Sequence, residues 1–270
     1  MIQLRKNKKA GALAIIILIG FFTGQIVFGA PGDSTLRVLT YNVHHCNPPS
    51  IAGKIDVEAI AKVINETKPD LVALQEIDVF TNRSGKTLHQ ARELGRLTGM
   101  YSFFGKAIDF QGGEYGIAIL SKYPLVDSLA SALPMKEGSG GEPRAIATIT
   151  IALTNGRKIK FACTHLDLKP ENRLLQVQKI KSLLADEKLP VILAGDFNDE
   201  PTGEAIQYMD GFLKRSCLQN CAFTFPQIDP TKEIDMIMFT ASRFSVKSHR
   251  TVNESYASDH LPLLAELNIH

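Results

Sequence analysis

The chain has 270 residues, 44% hydrophobic and 21% charged, with no tryptophan, which is enough for one large domain or two small ones with an ample core. Thirty basic residues face 28 acidic ones; positions 1–30 hold four of the basic and none of the acidic, so 30 less four leaves 26 against 28, a net of −2 for the remainder. That balance disfavours a protein dedicated to gripping long duplex DNA, where phosphate neutralisation supplies most of the affinity, and the absence of any repeat, heptad run or low-complexity stretch excludes solenoids and coiled coils.

Arg5, Lys6, Lys8 and Lys9 precede an apolar stretch over residues 11–22, and the small residues Gly29 and Ala30 follow a polar break at Gln25. This is the pattern of an export leader, with cleavage expected after Gly29 or Ala30. An uncleaved anchor is the alternative, since the stretch reaches about 20 residues if Gln25 is tolerated. Either way residues 31–270 are expected outside the cytoplasm, in the periplasm or the medium.

Residues 35–43 read as a strand, and 56–67 as a helix with Val57, Ile60, Ala61 and Ile64 on one face. A buried strand at 70–76 and a helix at 87–98, on Leu88, Ala91, Leu94 and Leu97, come next. Strands at 115–121, 143–153 and 157–164 follow, the last two joined by Asn155-Gly156, a strong hairpin signal. Residues 171–187 look helical, with Leu174, Leu175, Val177, Ile180, Leu183 and Leu184 as the buried stripe. A strand at 190–196, a short helix after Pro201, and strands near 233–240, 244–251 and 261–268 complete the series. Hairpins and helical crossovers together predict an α/β fold, a four-layer α/β sandwich of two packed mixed β-sheets flanked by helices. Segments 102–114, 134–143 and 217–232 read as loops that would carry specificity.

Cys217 and Cys221 can close a small loop in an oxidising compartment. Cys46 and Cys163 fall on strand-like runs and read as buried hydrophobes. No cysteine or histidine spacing fits a zinc template.

Most of the chemical information lies where the apolar runs end: Gly195-Asp196-Phe197-Asn198, Ile234-Asp235 and Ser258-Asp259-His260, with Tyr41-Asn42-Val43, Gln75-Glu76 and Thr164-His165-Leu166-Asp167 upstream. That distribution points to one site assembled from many strand ends. Attack on a phosphodiester brings a nucleophile to an already anionic centre, so the site must neutralise charge, activate water and stabilise the leaving alkoxide. Glu76 offers the hard oxygen that Mg²⁺ or Mn²⁺ prefers. Asp196 is the candidate to orient or deprotonate water, and Asn198 offers the phosphate an uncharged donor. His260 is the candidate to touch the scissile phosphate, with its protonated form favoured by a carboxylate. Arg83 and Arg144 suit a phosphate in a bidentate fork and suit a surface ion pair equally well. Of the other histidines, His44 ranks highest.

Together with Tyr115-Gly116-Ile117-Ala118-Ile119-Leu120-Ser121, these motifs resemble the successive motifs of the endonuclease/exonuclease/phosphatase superfamily, in its order and over roughly residues 35–268. The resemblance implies the four-layer sandwich and a divalent-metal site at the sheet edges. It implies that Asn42 supports the metal and its ligands, that Asp235 orients His260, that Asp259 lies near the metal or nucleophile, and that His165 contacts the phosphate or leaving group. Tyr41-Asn42-Val43-His44-His45 and Arg83-Ser84-Gly85 are similar to compact exported bacterial members and, more loosely, to the C-terminal domain of eukaryotic proteins linked to lipid remodelling of glycosylphosphatidylinositol anchors. Two positions depart from the pattern. Ile117 stands where many members have Asn, so its polar contact is expected from Glu114 or Tyr115, and His44 stands where several nucleases carry an acidic metal ligand. The expectation is an exported, monomeric, Mg²⁺- or Mn²⁺-dependent phosphodiesterase acting on a small or lipid-linked phosphoester. A secreted nuclease is the alternative, and a silent phosphoester-binding module a third.

Overall fold

The computed structural model describes residues 35–185 and 188–270, so the leader expected over residues 1–30 lies outside the described residues. Twelve strands and four α-helices alternate along them: β1 (Thr35–Asn42), α1 (Val57–Thr67), β2 (Leu71–Val79), α2 (Gln90–Thr98), β3 (Tyr101–Phe110), β4 (Gly113–Ser121), β5 (Leu125–Ala132), β6 (Ala145–Ala152), β7 (Lys158–His165), α3 (Pro170–Leu184), β8 (Val191–Asp196), α4 (Glu204–Asp210), β9 (Lys214–Arg215), β10 (Asp235–Phe239), β11 (Phe244–Thr251) and β12 (Leu263–Ile269). They form two six-stranded sheets, ordered β11-β12-β1-β2-β4-β3 and β5-β6-β7-β8-β10-β9. Each sheet has one parallel pair, β1–β2 and β7–β8, at its centre. A parallel pair needs a crossover, and α1 and α3 supply it.

Three apolar clusters define the layers. Leu36, Val38, Ala73 and Ile119 of the first sheet meet Ala147, Phe161, Ile192 and Ile237 of the second between the sheets. On the outer face of the first sheet, Leu39, Tyr41, Val72 and Leu74 pack on α1 and α2, and Ala162, Leu193 and Met238 of the second pack on α3 and α4. The result is the four-layer α/β sandwich. Helix α1 follows its sequence signals closely: the Asp56 side chain accepts from the Ala59 N–H at 3.1 Å as N-cap, and a left-handed Lys68 stops the helix before Pro69.

Several expectations are corrected. Segment 102–114 is not a loop: it holds most of β3 and the turn into β4, and β5 lacks any counterpart in the sequence reading. Both are edge strands with little buried surface, so neither shows the clean alternation of a half-buried strand. In α3 the buried face is Asn172, Arg173, Gln176, Val177, Ile180 and Leu184, whereas Leu183 is exposed and Leu174 and Leu175 are only partly buried. Polar side chains take that face because they fasten the chain after β7: Gln176 Oε1 accepts from the Asp167 N–H at 2.9 Å, and Arg173 Nη1 donates to the Leu168 carbonyl at 2.8 Å. Helix α3 also ends at Leu184 rather than 187, and residues 186–187 lie outside the described residues. Finally, Cys46 sits in a turn just beyond β1 rather than on a strand, buried and unpaired like Cys163. Cys217 and Cys221 form a disulfide. Among the described residues no helix is long and apolar enough to cross a membrane.

Candidate active site

Strand alternation builds most of the site. Leu36 and Val38 of β1, Phe161 and Cys163 of β7, Ile192 and Ala194 of β8, and Ile237 and Phe239 of β10 face the inter-sheet core. Two residues along from a core residue of the same face lie His165, Asp196 and Asp235, and on β1 the row runs through buried Thr40 to Asn42, so the apolar rows end in polar groups that converge between the sheets. Register makes the convergence tight: Asp196 is the cross-strand partner of both His165 and Asp235.

Glu76 joins by a different device. The pairing of β2 with β4 shifts between Leu74 and Ile77, and Glu76 at this bulge has φ +61°. Without the bulge Glu76 would face α1 and α2; with it, Oε1 accepts from Asn42 Nδ2 at 3.2 Å. A second left-handed stretch, His44, His45 and Cys46 at φ 47°, 43° and 59°, follows β1. Such residues cost on the order of 1–3 kcal/mol each, and here they are held by Gln90 Nε2 donating to the His45 carbonyl at 2.7 Å and by the Asp56 N–H donating to the Cys46 carbonyl at 2.7 Å. The turn brings His45 Nδ1 to 3.9 Å from Glu76 Oε2. Sequence reasoning ranked His44 above His45, but His44 turns its ring to the Asn47 carbonyl, 2.9 Å away. Nothing in the sequence announces three left-handed residues without glycine.

At the centre, His260 Nδ1 lies 2.8 Å from Asp235 Oδ2, and its Nε2 points to Asp196 Oδ2 at 3.7 Å. Burial alone would discharge this imidazole, but the charge and hydrogen bond of Asp235 outweigh it and hold His260 protonated up to about 10. Asp196 shows the converse. Burial and the neighbouring Asp235 charge lift its carboxyl to about 7, against the pull of His260, the Asn42 amide, 3.0 Å away, and the Asn198 N–H, 2.8 Å away. A carboxylate poised near 7 is suited to general-base work at neutral pH. The His260 segment is pinned by Ser258 Oγ, which donates to the Asn42 carbonyl at 2.7 Å, and by the Leu261 N–H, which donates to the Thr224 carbonyl.

His165 has a tautomer fixed by its neighbour. Arg144 Nη1 approaches Nδ1 at 3.2 Å; a guanidinium only donates, so Nδ1 accepts and the proton sits on Nε2, 3.5 Å from Asp196 Oδ2. Burial and the Arg144 charge push its pKa well down, keeping the ring neutral. The two imidazole N–H groups facing Asp196 Oδ2 are thus both beyond good hydrogen-bond distance. Both are therefore available to donate to an anionic oxygen lying between them.

The donor set fits a divalent cation. Glu76, Asp196 and Asp235 gather three carboxylates around one imidazolium, with His165 neutral, and Asp235 Oδ1 is buried with no hydrogen-bond partner. Burial raises the Glu76 carboxyl, but His45, His165, Asn42 and His44 together more than offset it and keep Glu76 ionised. Asp196, Asp235 and His260 offer ligand atoms within 4.8 Å of one another. Because Asp235 and His260 are already hydrogen-bonded together, Glu76, whose Oε2 has only His45 near it, is the better anchor. Asn42 supports rather than ligates: its amide serves Glu76 and Asp196, and its Oδ1 accepts from the His44 N–H at 3.1 Å. Asp259 is tied in through Ser258 Oγ, 3.3 Å from Asp259 Oδ1.

The remaining candidates divide. Arg144 stands at the site, also 2.9 Å from Glu142. Arg83 instead forks onto buried Asp78 at 2.7 and 3.0 Å and stacks over Phe110 and Tyr115, so its guanidinium is spent on structure. Tyr115 is buried, its hydroxyl pKa raised by burial and by the charge of Glu76. Asn198 donates Nδ2 to the Leu166 carbonyl at 2.9 Å, which leaves one amide hydrogen for a phosphate. Ile117 packs between the sheets, and Glu114 pairs with Lys106, so neither replaces the missing polar contact.

Comparison with known proteins agrees with this geometry. The profile of the endonuclease/exonuclease/phosphatase family matches residues 39–260. Human nocturnin is 24% identical over 249 residues, 74% of this chain, and the chain spans 55% of that protein's length. Among solved structures, an endonuclease/exonuclease/phosphatase from Beutenbergia cavernae superposes with a TM-score of 0.74 at 24% identity, covering 87% of this chain and 72% of the other. A mannosyl-6-phosphatase from Bacteroides thetaiotaomicron gives 0.69 at 23% identity over 86% and 99%. These likenesses show the fold, and the profile, spanning every strand end that builds the site, shows that the chain belongs to the endonuclease/exonuclease/phosphatase family.

Proposed function

We propose that the chain is an exported phosphodiesterase, dependent on Mg²⁺ or Mn²⁺, that hydrolyses a small or lipid-linked phosphoester as a monomer. The observation that carries this reading is the convergence on buried Asp196 of two imidazoles, His165 Nε2 at 3.5 Å and His260 Nε2 at 3.7 Å, with Asp235 holding the His260 ring from Nδ1 at 2.8 Å. Burial and the Asp235 charge raise the Asp196 carboxyl, and Asp235 favours the protonated His260. Asp196 takes the proton of the attacking water, and His260 and the neutral His165 donate their Nε2 protons to the phosphoryl oxygens as charge builds there. A cation at Glu76, with Asn42 and Asp259 in support, would neutralise the phosphate and help stabilise the departing alkoxide. Export rests on the basic and apolar leader, and the small-substrate reading on the net charge of −2 outside it.

Purified protein is expected to hydrolyse bis-p-nitrophenyl phosphate, to lose that activity in EDTA, and to regain it with Mn²⁺. Glu76→Ala should raise the metal concentration for half-maximal activity by about tenfold or more, as loss of a ligand or its support does. Turnover that survives EDTA would overturn the reading. Rapid cleavage of plasmid DNA at low salt would move the assignment to a secreted nuclease.

A further inference from the structure

Beside His260 and Asn198 a cavity of about 460 Å³ opens between the segment after β8 and the segment before β10. It falls within the range of small-molecule pockets, roughly 300–1,000 Å³. Because Asn198 and His260, two of the residues proposed to face the phosphate, line one side of it, a group that fills it lies next to that phosphate. We propose that this cavity is the subsite for one alcohol of the ester and that it selects a polyhydroxylated, sugar-like alcohol. The inference rests on the phosphoesterase reading and narrows its substrate class.

Its walls carry the argument. Phe225 supplies an aromatic ring, 4.7 Å from that of His260 and 5.8 Å from Lys232 Nζ. Glu200 and Lys232, both exposed and lining the cavity, pair with no opposite charge among the described residues, and Thr202 adds a hydroxyl. Asp199, the remaining carboxylate, is already taken by Arg173 at 3.3 Å and lies against Gly203, where any side chain would collide with it. A ring with hydroxyls on its rim satisfies such a wall: carboxylate, ammonium and Thr202 exchange hydrogen bonds with the hydroxyls while the C–H face rests on Phe225. An alkyl chain would strip water from Glu200, Thr202 and Lys232 without replacing their hydrogen bonds.

A matched series of p-nitrophenyl phosphodiesters, with the second alcohol methyl, octyl, hexose O6 or thymidine O5′, tests this with one leaving group throughout. With Mn²⁺, kcat/KM for the hexosyl ester is expected about tenfold or more above the methyl ester, the scale of a hydrogen bond to a charged group. Glu200→Gln and Lys232→Met should each draw that ratio toward unity. An octyl or thymidinyl preference, or a hexosyl preference untouched by both substitutions, overturns the proposal. Failure to hydrolyse even the methyl ester would instead sink the phosphoesterase reading, and the subsite is then judged by calorimetry. Methyl hexose 6-phosphate binding tighter than methyl phosphate, with the advantage lost in Glu200→Gln, upholds it, and equal binding overturns it.

Discussion

Asp235→Asn is expected to lower kcat by about 10²–10⁴-fold while leaving the fold intact, and to move the alkaline limb of the pH profile down by several units. The size follows from what the carboxylate does. His260 is buried, and burial by itself favours the neutral ring; Asp235, 2.8 Å from Nδ1, is the main reason the imidazolium persists to about 10. The protonated form is the one that donates to the phosphate, so activity in the parent chain should persist as pH rises until it falls near 10. An amide of the same shape keeps the space but not the charge, so in the variant the proton leaves at much lower pH. The acid limb depends on a different group: Asp196 acts as a base only when ionised, and burial and the Asp235 charge raise its carboxyl toward 7 before a cation is bound. Since a cation beside a carboxylate favours ionisation, saturating Mn²⁺ should shift the acid limb downward. Steady-state profiles of kcat, with the His260 ring titrated by NMR, measure both limbs. An alkaline limb left in place by Asp235→Asn would show that the pair does not set the protonation of the ring.

These residues were legible in the sequence for a physical reason. His165, Asp196 and Asp235 each stand two residues from a core residue of the same strand face, and Asn42 closes the β1 row after Thr40, so a polar residue ending an alternating apolar run is already a residue at the lip of the sheet interface. Glu76 and His45 break that rule. Glu76 reaches the site only through a bulge in β2, and His45 only through a left-handed turn tied down by Gln90 from α2. Neither device leaves a periodic trace, and so Glu76 was identifiable by motif and His45 was missed. Arg83 is a residue whose two readings the sequence leaves open. Its chemistry suits a phosphate, but buried Asp78 five residues earlier, itself masked inside a strand, claims it first. The edge strands β3 and β5 were lost because their burial is too slight for the pattern to register.

Gly195→Ala should be the most damaging single methyl group that can be added near the site. Gly195 lies on β8 immediately before Asp196 and pairs across the parallel register with Thr164 of β7. A Cβ there would overlap the Thr164 carbonyl oxygen and come within 3.0 and 3.1 Å of the Thr164 carbonyl carbon and nitrogen. All three are backbone atoms in a paired central strand, so no side-chain rotation relieves the clash and the two strands must part. Overpacking of this kind costs about 3 kcal/mol or more, which in a domain of this size lowers Tm by roughly 6–12 °C. The same displacement carries away His165 and Asp196, whose separation of 3.5 Å defines the phosphate position. A shift of about 1 Å at such a site is enough for a 10²-fold loss of activity. Gly211→Ala is the matched control: it sits at a helix end with φ −73°, and its nearest neighbour, the Tyr208 carbonyl oxygen, is 3.4 Å from the added carbon, so its stability should stay within about 0.5 kcal/mol of the parent. Thermal denaturation and bis-p-nitrophenyl phosphate turnover of the two variants side by side decide the matter. If Gly195→Ala melts and turns over like Gly211→Ala, the close approach of β7 and β8 is not what holds Asp196 in place.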